Sequence, residues 1–358
     1  GLPANIMTDG VHNAVITLSP TTAGSALSGS INVTFNKGSS DAIDVDIENI
    51  SFNTSGIVLD PMRPYVYIAN GDSLSTYHVV SGTLINTTAS PLAGVDLTNL
   101  VIHPDGSMLL ASNSETYLDE DEVEQTRVNH YQFDLTDYQF SQINSDDITI
   151  EFRPLMIKMI AGAAVVITQT LEYADLNLVR QYWDQENAFF ASTAAQANST
   201  NMYMVYNQSA TSLERFTLAY NAYASEMVSV TNEPAYSNVA FTNLSNFAIS
   251  HDGNTIYTAN SVSEWASFNG STYTDNALLQ GNANVQTFNT STDTDDNSYF
   301  YRFDPTLGIT YTKYNNAQVE LWSEVISNAT AQSYLMPAYQ RVLIYDASTT
   351  TLRLRSHQ

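Results

Sequence analysis

A frame of fourteen residues recurs along this chain, and a recurring supersecondary unit narrows the available folds more than any other feature. Residues 247–260 read FAISHDGNTIYTAN, residues 100–113 read LVIHPDGSMLLASN, and residues 57–70 read IVLDPMRPYVYIAN. Aligned, Asp105 and Gly106 fall on Asp252 and Gly253, Asn113 falls on Asn260, and the third copy carries Met62 and Arg63 at the turn. Each copy is expected to be two strands around a two-residue hairpin turn. The Asp-Gly pair supplies positive φ, and the flanks are β-branched, aromatic and aliphatic.

Extending the frame gives further short strands behind each hairpin, at 75–80 and 83–86 after the first copy and at 128–135 and 138–143 after the second. Four short antiparallel strands per unit is the pattern of a propeller blade. Six units are visible, the last with three strands at 333–336, 342–346 and 352–355. A three-stranded final blade leaves an open edge, which the strand-like runs at 14–18, 31–35 and 43–47 are available to close. The expected architecture is an all-β, four-stranded, antiparallel β-propeller closed by N-terminal strands. Seven blades are favoured over six, because those strands supply more than the last unit needs. One domain spans 1–358, with 1–56 helping to close the ring and 57–358 carrying the blades.

The frame Asp60-Pro61 followed by Tyr67-Ile68-Ala69-Asn70, repeated as Asp252-Gly253 followed by Tyr257-Thr258-Ala259-Asn260, resembles the YVTN-type β-propeller repeat of surface-layer proteins and lactonase-like propellers. The resemblance covers most of the chain from Ile57 onward. It implies a fold and no catalytic residue, because the matching positions are structural and this superfamily hosts enzymes, adhesins and scaffolds. The strand-three ending in Asp is kept only at Asp134 and Asp304.

Charge and composition restrict partners. With 37 acidic and 12 basic residues the formal net charge is −25, which repels a phosphate backbone or an anionic membrane surface, so no nucleic-acid partner is expected. The apolar runs are too short for a membrane helix, and no membrane insertion is expected. Only 14% of residues are charged, and Asn, Ser, Thr and 22 Tyr carry most of the polarity. Cysteine is absent, which removes disulfides and thiolate metal sites. Together with ten Asn-x-Ser/Thr triplets, this composition leans toward an extracellular or cell-surface setting.

In a propeller blade the second-to-third-strand loop rises on the same face as the connections between blades, so insertions there converge. Two acidic insertions are read at that position. Residues 114–127 carry Asp119, Glu120, Asp121 and Glu122, and residues 261–297 carry Asp293, Asp295 and Asn297. Asp293-x-Asp295-x-Asn297 has calcium-loop spacing, and Asp304 falls at the twelfth position; Ser298 stands where an EF-hand needs glycine. Ca²⁺ is the one cofactor that the sequence suggests, against a plain solvated acidic loop. The histidines His103 and His251 read as turn or packing residues, and the aromatics of the third strands (Tyr131, Phe133, Phe216) as blade packing. No nucleophile elbow, phosphate loop or dinucleotide fingerprint occurs.

The reading is a non-catalytic binding, adhesion or assembly module with a protein or glycan partner, or with copies of itself. A secreted lactonase-like or polysaccharide-active enzyme and a virion or filament subunit are the alternatives.

Overall fold

The computed structural model describes residues 10–18, 29–37, 44–51, 56–143, 153–183, 191–196, 201–207, 212–219, 229–237, 247–249, 255–259, 263–268, 273–275, 288–292, 298–304, 310–315, 320–325, 332–336, 339 and 341–356. Two compact units result, 1–44 and 45–358. In the first unit β1 (Gly10–Leu18) and β2 (Gly29–Lys37) form an antiparallel pair in unbroken register, from Gly10↔Lys37 to Leu18↔Gly29.

The second unit opens with β3 (Val45–Ile47) and contains seven four-stranded antiparallel sheets. The first sheet is β4 (Ile57–Leu59), β5 (Tyr65–Asn70), β6 (Ser73–His78) and β7 (Leu84–Ala89). The second is β8 (Leu97–Ile102), β9 (Met108–Leu118), β10 (Glu124–Asp134) and β11 (Gln139–Gln142). The third is β12 (Pro154–Ile160), β13 (Ala163–Thr168), β14 (Glu172–Ala174) and β15 (Arg180–Trp183). The fourth is β16 (Ala191–Gln196), β17 (Met202–Asn207), β18 (Ser212–Ala219) and β19 (Ser229–Ser237). The fifth is β20 (Phe247–Ile249), β21 (Thr255–Ala259), β22 (Ser263–Phe268) and β23 (Tyr273–Asp275). The sixth is β24 (Phe288–Thr292), β25 (Ser298–Asp304), β26 (Thr310–Asn315) and β27 (Glu320–Val325). The seventh joins β28 (Gln332–Met336), β29 (Arg341–Asp346) and β30 (Thr351–Ser356) to β3, through Val45↔Leu354 and Ile47↔Leu352.

Two details differ from the sequence reading. Of the three N-terminal strands expected to close the last sheet, β3 alone does so, and β1 and β2 pair with each other. Residues 261–297 are not an insertion between second and third strands. They hold β22 and β23, which complete the fifth sheet, and β24, which starts the sixth. Residues 298–304 are therefore a second strand, not a delayed third one.

The sheets pack in chain order, and alternate residues of one strand feed two different cores. Val66 and Ile68 of β5 lie against Leu343, Tyr345, Leu352 and Leu354 of the seventh sheet, so the last sheet packs on the first. Tyr67 and Ala69, pointing the other way, lie against Leu109, Ala111, Tyr131 and Phe133 of the second sheet. The same alternation links Leu110 to Ile157 and Val166, and then Val165 and Ile167 to Tyr203, Val205 and Phe216. Beyond that point β16 lies beside β20, β20 beside β24 and β24 beside β28. Strands buried on both faces read as continuous apolar runs, which is why YVYIAN and RVLIYD carry so little polar alternation. The outermost strand β7 faces solvent, with Leu84 and Ile85 exposed.

The turn of the second copy is not a two-residue turn. His103 N–H donates to Met108 O at 2.9 Å and Gly106 N–H to His103 O at 2.9 Å, so four residues form the loop. Gly106 alone takes positive φ (71°), and Asp105 closes the turn by accepting from Ser107 N–H at 2.8 Å. Asp252 and Gly253 lie outside the described residues. A Cβ at Gly106 would also come within 3.1 Å of Asp60 Oδ1. Gly106→Val is expected to destabilise by about 1–2 kcal/mol, since a β-branched residue resists left-handed φ. An unchanged urea midpoint would contradict that.

Lys158 of β12 is a buried cation that donates Nζ–H to Met202 O at 2.7 Å, across to the fourth sheet. Burial pushes its pKa down to about 8. The unfolded lysine keeps its proton to higher pH, so between these two values the unfolded state binds more protons and stability rises with pH. The expected gain from this group is about 2 kcal/mol between pH 8 and 10. Tyr67, whose phenol burial pushes up, opposes the trend only above the ordinary tyrosine range. Chemical denaturation at pH 8 and at pH 10 should show the gain in the wild type and lose it in Lys158→Met.

Candidate functional site

The second sheet carries the longest hairpin. β9 and β10 have 11 residues each, and their pairing runs from Met108↔Asp134 outward to Leu118↔Glu124. Neighbours cover only the inner half: β8 reaches Asn113 and β11 reaches Tyr131. Residues 114–128 therefore form a two-stranded ribbon that extends past the sheet, so the flanks of the first acidic insertion are strand and its acidic residues 119–122 sit in the turn at the tip.

A cleft of about 570 Å³ lies at the base of this ribbon. Its wall is built from three pieces that meet at one end of the sheets. Leu92 and Asp96 come from the connection into β8 and Thr98 from the start of β8 itself, Ser114, Glu115 and Thr116 from the foot of the ribbon, and Arg153 from the residue before β12. This is the convergence of second-to-third-strand segment and inter-sheet connections that the repeat logic predicts. Register places the polar groups: Ser114 pairs with Val128 and Glu115 with Arg127, so alternate ribbon residues face opposite neighbouring sheets.

Glu115 is a well-held carboxylate. Arg127 Nη2–H donates to Oε1 at 2.5 Å and Asn129 Nδ2–H to Oε2 at 3.1 Å, while the Arg127 guanidinium also lies over the Tyr117 ring at 5.3 Å. Arg153 is held differently, by donating Nη2–H to the Ser114 hydroxyl at 2.8 Å. Behind it, toward the third sheet, Thr98, Ser112 and His130 form one row across three strands. The Thr98 hydroxyl donates to Ser112 O at 3.2 Å, and Ser112 Oγ lies 2.9 Å from His130 Nδ1. His130 Nε2 has no hydrogen-bond partner among the described residues. Burial, and then the nearby Arg153 charge, push His130 down to about 4, so the ring is neutral at pH 7. Ser112 and His130 are 1% and 2% exposed, which closes this hydroxyl–imidazole pair to any substrate.

At the other end of the same sheets sits a buried polar clamp. Asp60 Oδ1 accepts from Met62 N–H at 2.8 Å and Arg63 N–H at 2.9 Å, and Oδ2 accepts from Arg63 Nε–H and the Tyr67 hydroxyl, each at 2.7 Å. Arg63 Nη2–H reaches across to Gly106 O at 2.6 Å, and Tyr339, between β28 and β29, donates its hydroxyl to Met62 O at 3.1 Å. The clamp explains the departure of the first copy from Asp-Gly: the Asp60 carboxylate closes the turn, and Arg63 ties the first sheet to the second.

The residues singled out in sequence fall as follows. Asp119 shapes the ribbon tip, accepting at Oδ1 from Asp121 N–H at 3.0 Å and Val123 N–H at 2.9 Å, and at Oδ2 from Gln125 Nε2–H at 2.9 Å. The Gln125 contact first, then that of Val123, hold its carboxyl below the ordinary range. Glu120, Asp121 and Glu122 are exposed at the tip, and Glu122 takes φ of 61°. Asp293, Asp295 and Asn297 lie outside the described residues. The expectation that both acidic segments rise on one face therefore rests in part on residues outside the described set. Asp304 ends β25, and the other three members of the calcium-loop spacing fall outside the described residues. Among the described residues no group of three or more His, Cys, Asp or Glu is placed to hold a metal ion. His103 is a turn residue, its Nδ1 2.5 Å from Asp105 Oδ1; Tyr131, Phe133 and Phe216 are core.

Asp96, Thr98, Thr116 and Arg153 escaped sequence reasoning. Their one signal was position, since the connections and the ribbon foot share an end. No protein-family model matches the chain, and no curated protein matches it.

Proposed function

We propose that this chain is a seven-bladed β-propeller of the YVTN-type kind that works outside the cell or on its surface as a non-catalytic binding module, with a glycan taken in the cleft at the ribbon base. Support for the ring is the run of seven four-stranded sheets in chain order, with β3 completing the last and that sheet packed on the first. One observation carries the binding reading: the cleft sets acceptors (Asp96, Glu115), donors (Arg153) and hydroxyls (Thr98, Ser114, Thr116) within one space on strand ends and their connections. A hydroxyl-rich ligand satisfies such a mixture, because each sugar hydroxyl both donates and accepts. Against catalysis stand the Arg127 and Asn129 contacts that tie up the Glu115 carboxylate and the sealed Ser112–His130 pair.

The test is a glycan array followed by titration of the best ligand into wild type and Asp96→Ala. Asp96 is exposed, so its replacement is expected to leave the melt unchanged while binding weakens at least about tenfold through loss of a charged acceptor. No binding to any array member at millimolar concentration, or equal binding by the variant, would overturn the assignment of the cleft.

A further inference from the structure

Of the three charged residues that line the cleft, Asp96, Glu115 and Arg153, the last two are held in different ways. Glu115 is already neutralised by Arg127 and braced by Asn129. Arg153 is oriented by a neutral hydroxyl, Ser114 Oγ, and is held by its backbone as well, since its carbonyl accepts from Gln169 N–H at 3.0 Å. Among the described residues no carboxylate pairs with it, although it lines a cleft in a chain of net charge −25. In so acidic a protein a guanidinium left without an anion at the mouth of a preformed cleft is the exception. Its planar fork matches a carboxylate through two parallel N–H donors, and one of its nitrogens is already fixed by Ser114.

Resting on the glycan reading above, we propose that the cleft selects acidic sugars, with the carboxylate of a uronate or similar residue clamped by Arg153. The ring hydroxyls are then taken by Asp96, Thr98 and Thr116, and the C–H face of the sugar lies against Leu92 and Val95. Asp96 repels a second acid group, so one carboxylate per bound unit is the expected stoichiometry.

Calorimetric titration of the whole chain with oligomers of galacturonate, of glucuronate and of sialic acid, each beside its methyl ester, separates charge from hydroxyl recognition. At least one acid should bind about tenfold or more tighter than its ester. Arg153→Ala should bring that acid to the level of the ester and leave the ester unchanged, and Arg153→Lys should keep part of the preference as a point charge. Equal binding of acid and ester by wild type would sink the acidic-sugar proposal and leave the glycan reading standing. Equal weakening of both ligands by Arg153→Ala and Arg153→Lys would do the same, showing that Arg153 acts through Ser114 on the cleft wall. If none of the acids, esters or neutral array sugars binds, the glycan reading falls and this proposal with it.

Discussion

Replacing Asp60 by alanine should destabilise the second unit by about 3–5 kcal/mol, the range found when one partner of a buried pair is removed. The carboxylate is 3% exposed and accepts four hydrogen bonds, two from the backbone of its own turn and two from Arg63 and Tyr67. Without it the Tyr67 hydroxyl, in a fully buried side chain, loses its acceptor, and the Arg63 guanidinium loses its counter-charge. The loss also reaches the second sheet through Arg63 and Gly106 O. Asp60→Asn should cost less, because one oxygen still accepts while the amide confronts donors. A double-mutant cycle with Arg63→Met checks the mechanism. Coupling below about 0.5 kcal/mol would show that Asp60 acts through its turn alone and not through the clamp.

The largest effect is expected from removal of β3. A chain starting at residue 52 loses three strand residues and Ile50, whereas one starting at residue 44 keeps them, so the difference isolates closure. Ile47 and Ile50 are 9% and 1% exposed and pack among Tyr345, Leu352 and Leu354. Burial of two isoleucines is worth about 3–6 kcal/mol. Further contacts go with them: Ile50 N–H to Thr350 O at 2.8 Å, Tyr345 hydroxyl to Ile50 O at 3.1 Å, and Arg355 to Asp46 at 2.7 Å. The sum is comparable with the whole stability of an ordinary domain, and β30 becomes an open edge. The chain from 52 should be aggregated or lack a cooperative melt where the chain from 44 melts sharply. Matching melting temperatures would refute closure by β3.

The hairpins were legible because their causes are local. The β-branched, aromatic and aliphatic runs at 65–70 and 108–113, and a glycine at 106 able to take left-handed φ, are properties of adjacent residues, and they determined strands and turn positions. The need for a closing strand was also legible, since a three-stranded last unit leaves its edge unpaired whatever its surroundings. The role of Met62 and Arg63 was not, because the group that replaces Asp-Gly there is a carboxylate whose partner reaches a carbonyl 43 residues away.

Local pattern misled at 261–297, where Ser- and Asn-rich segments form β22, β23 and β24. Polar residues take strand geometry there because neighbouring strands supply the backbone hydrogen bonds, which no short-range signal reports.

The sequence by itself thus determined the all-β class, the repeat, its strand pairs and the acidic character of the ribbon. Only the tertiary structure decided which strand closes the last sheet, that 247–325 holds two sheets, and that Arg153 comes to stand beside Ser114 and Glu115. The reason is separation: Arg153 lies 39 residues from the hydroxyl that orients it, and antiparallel register brings such residues together.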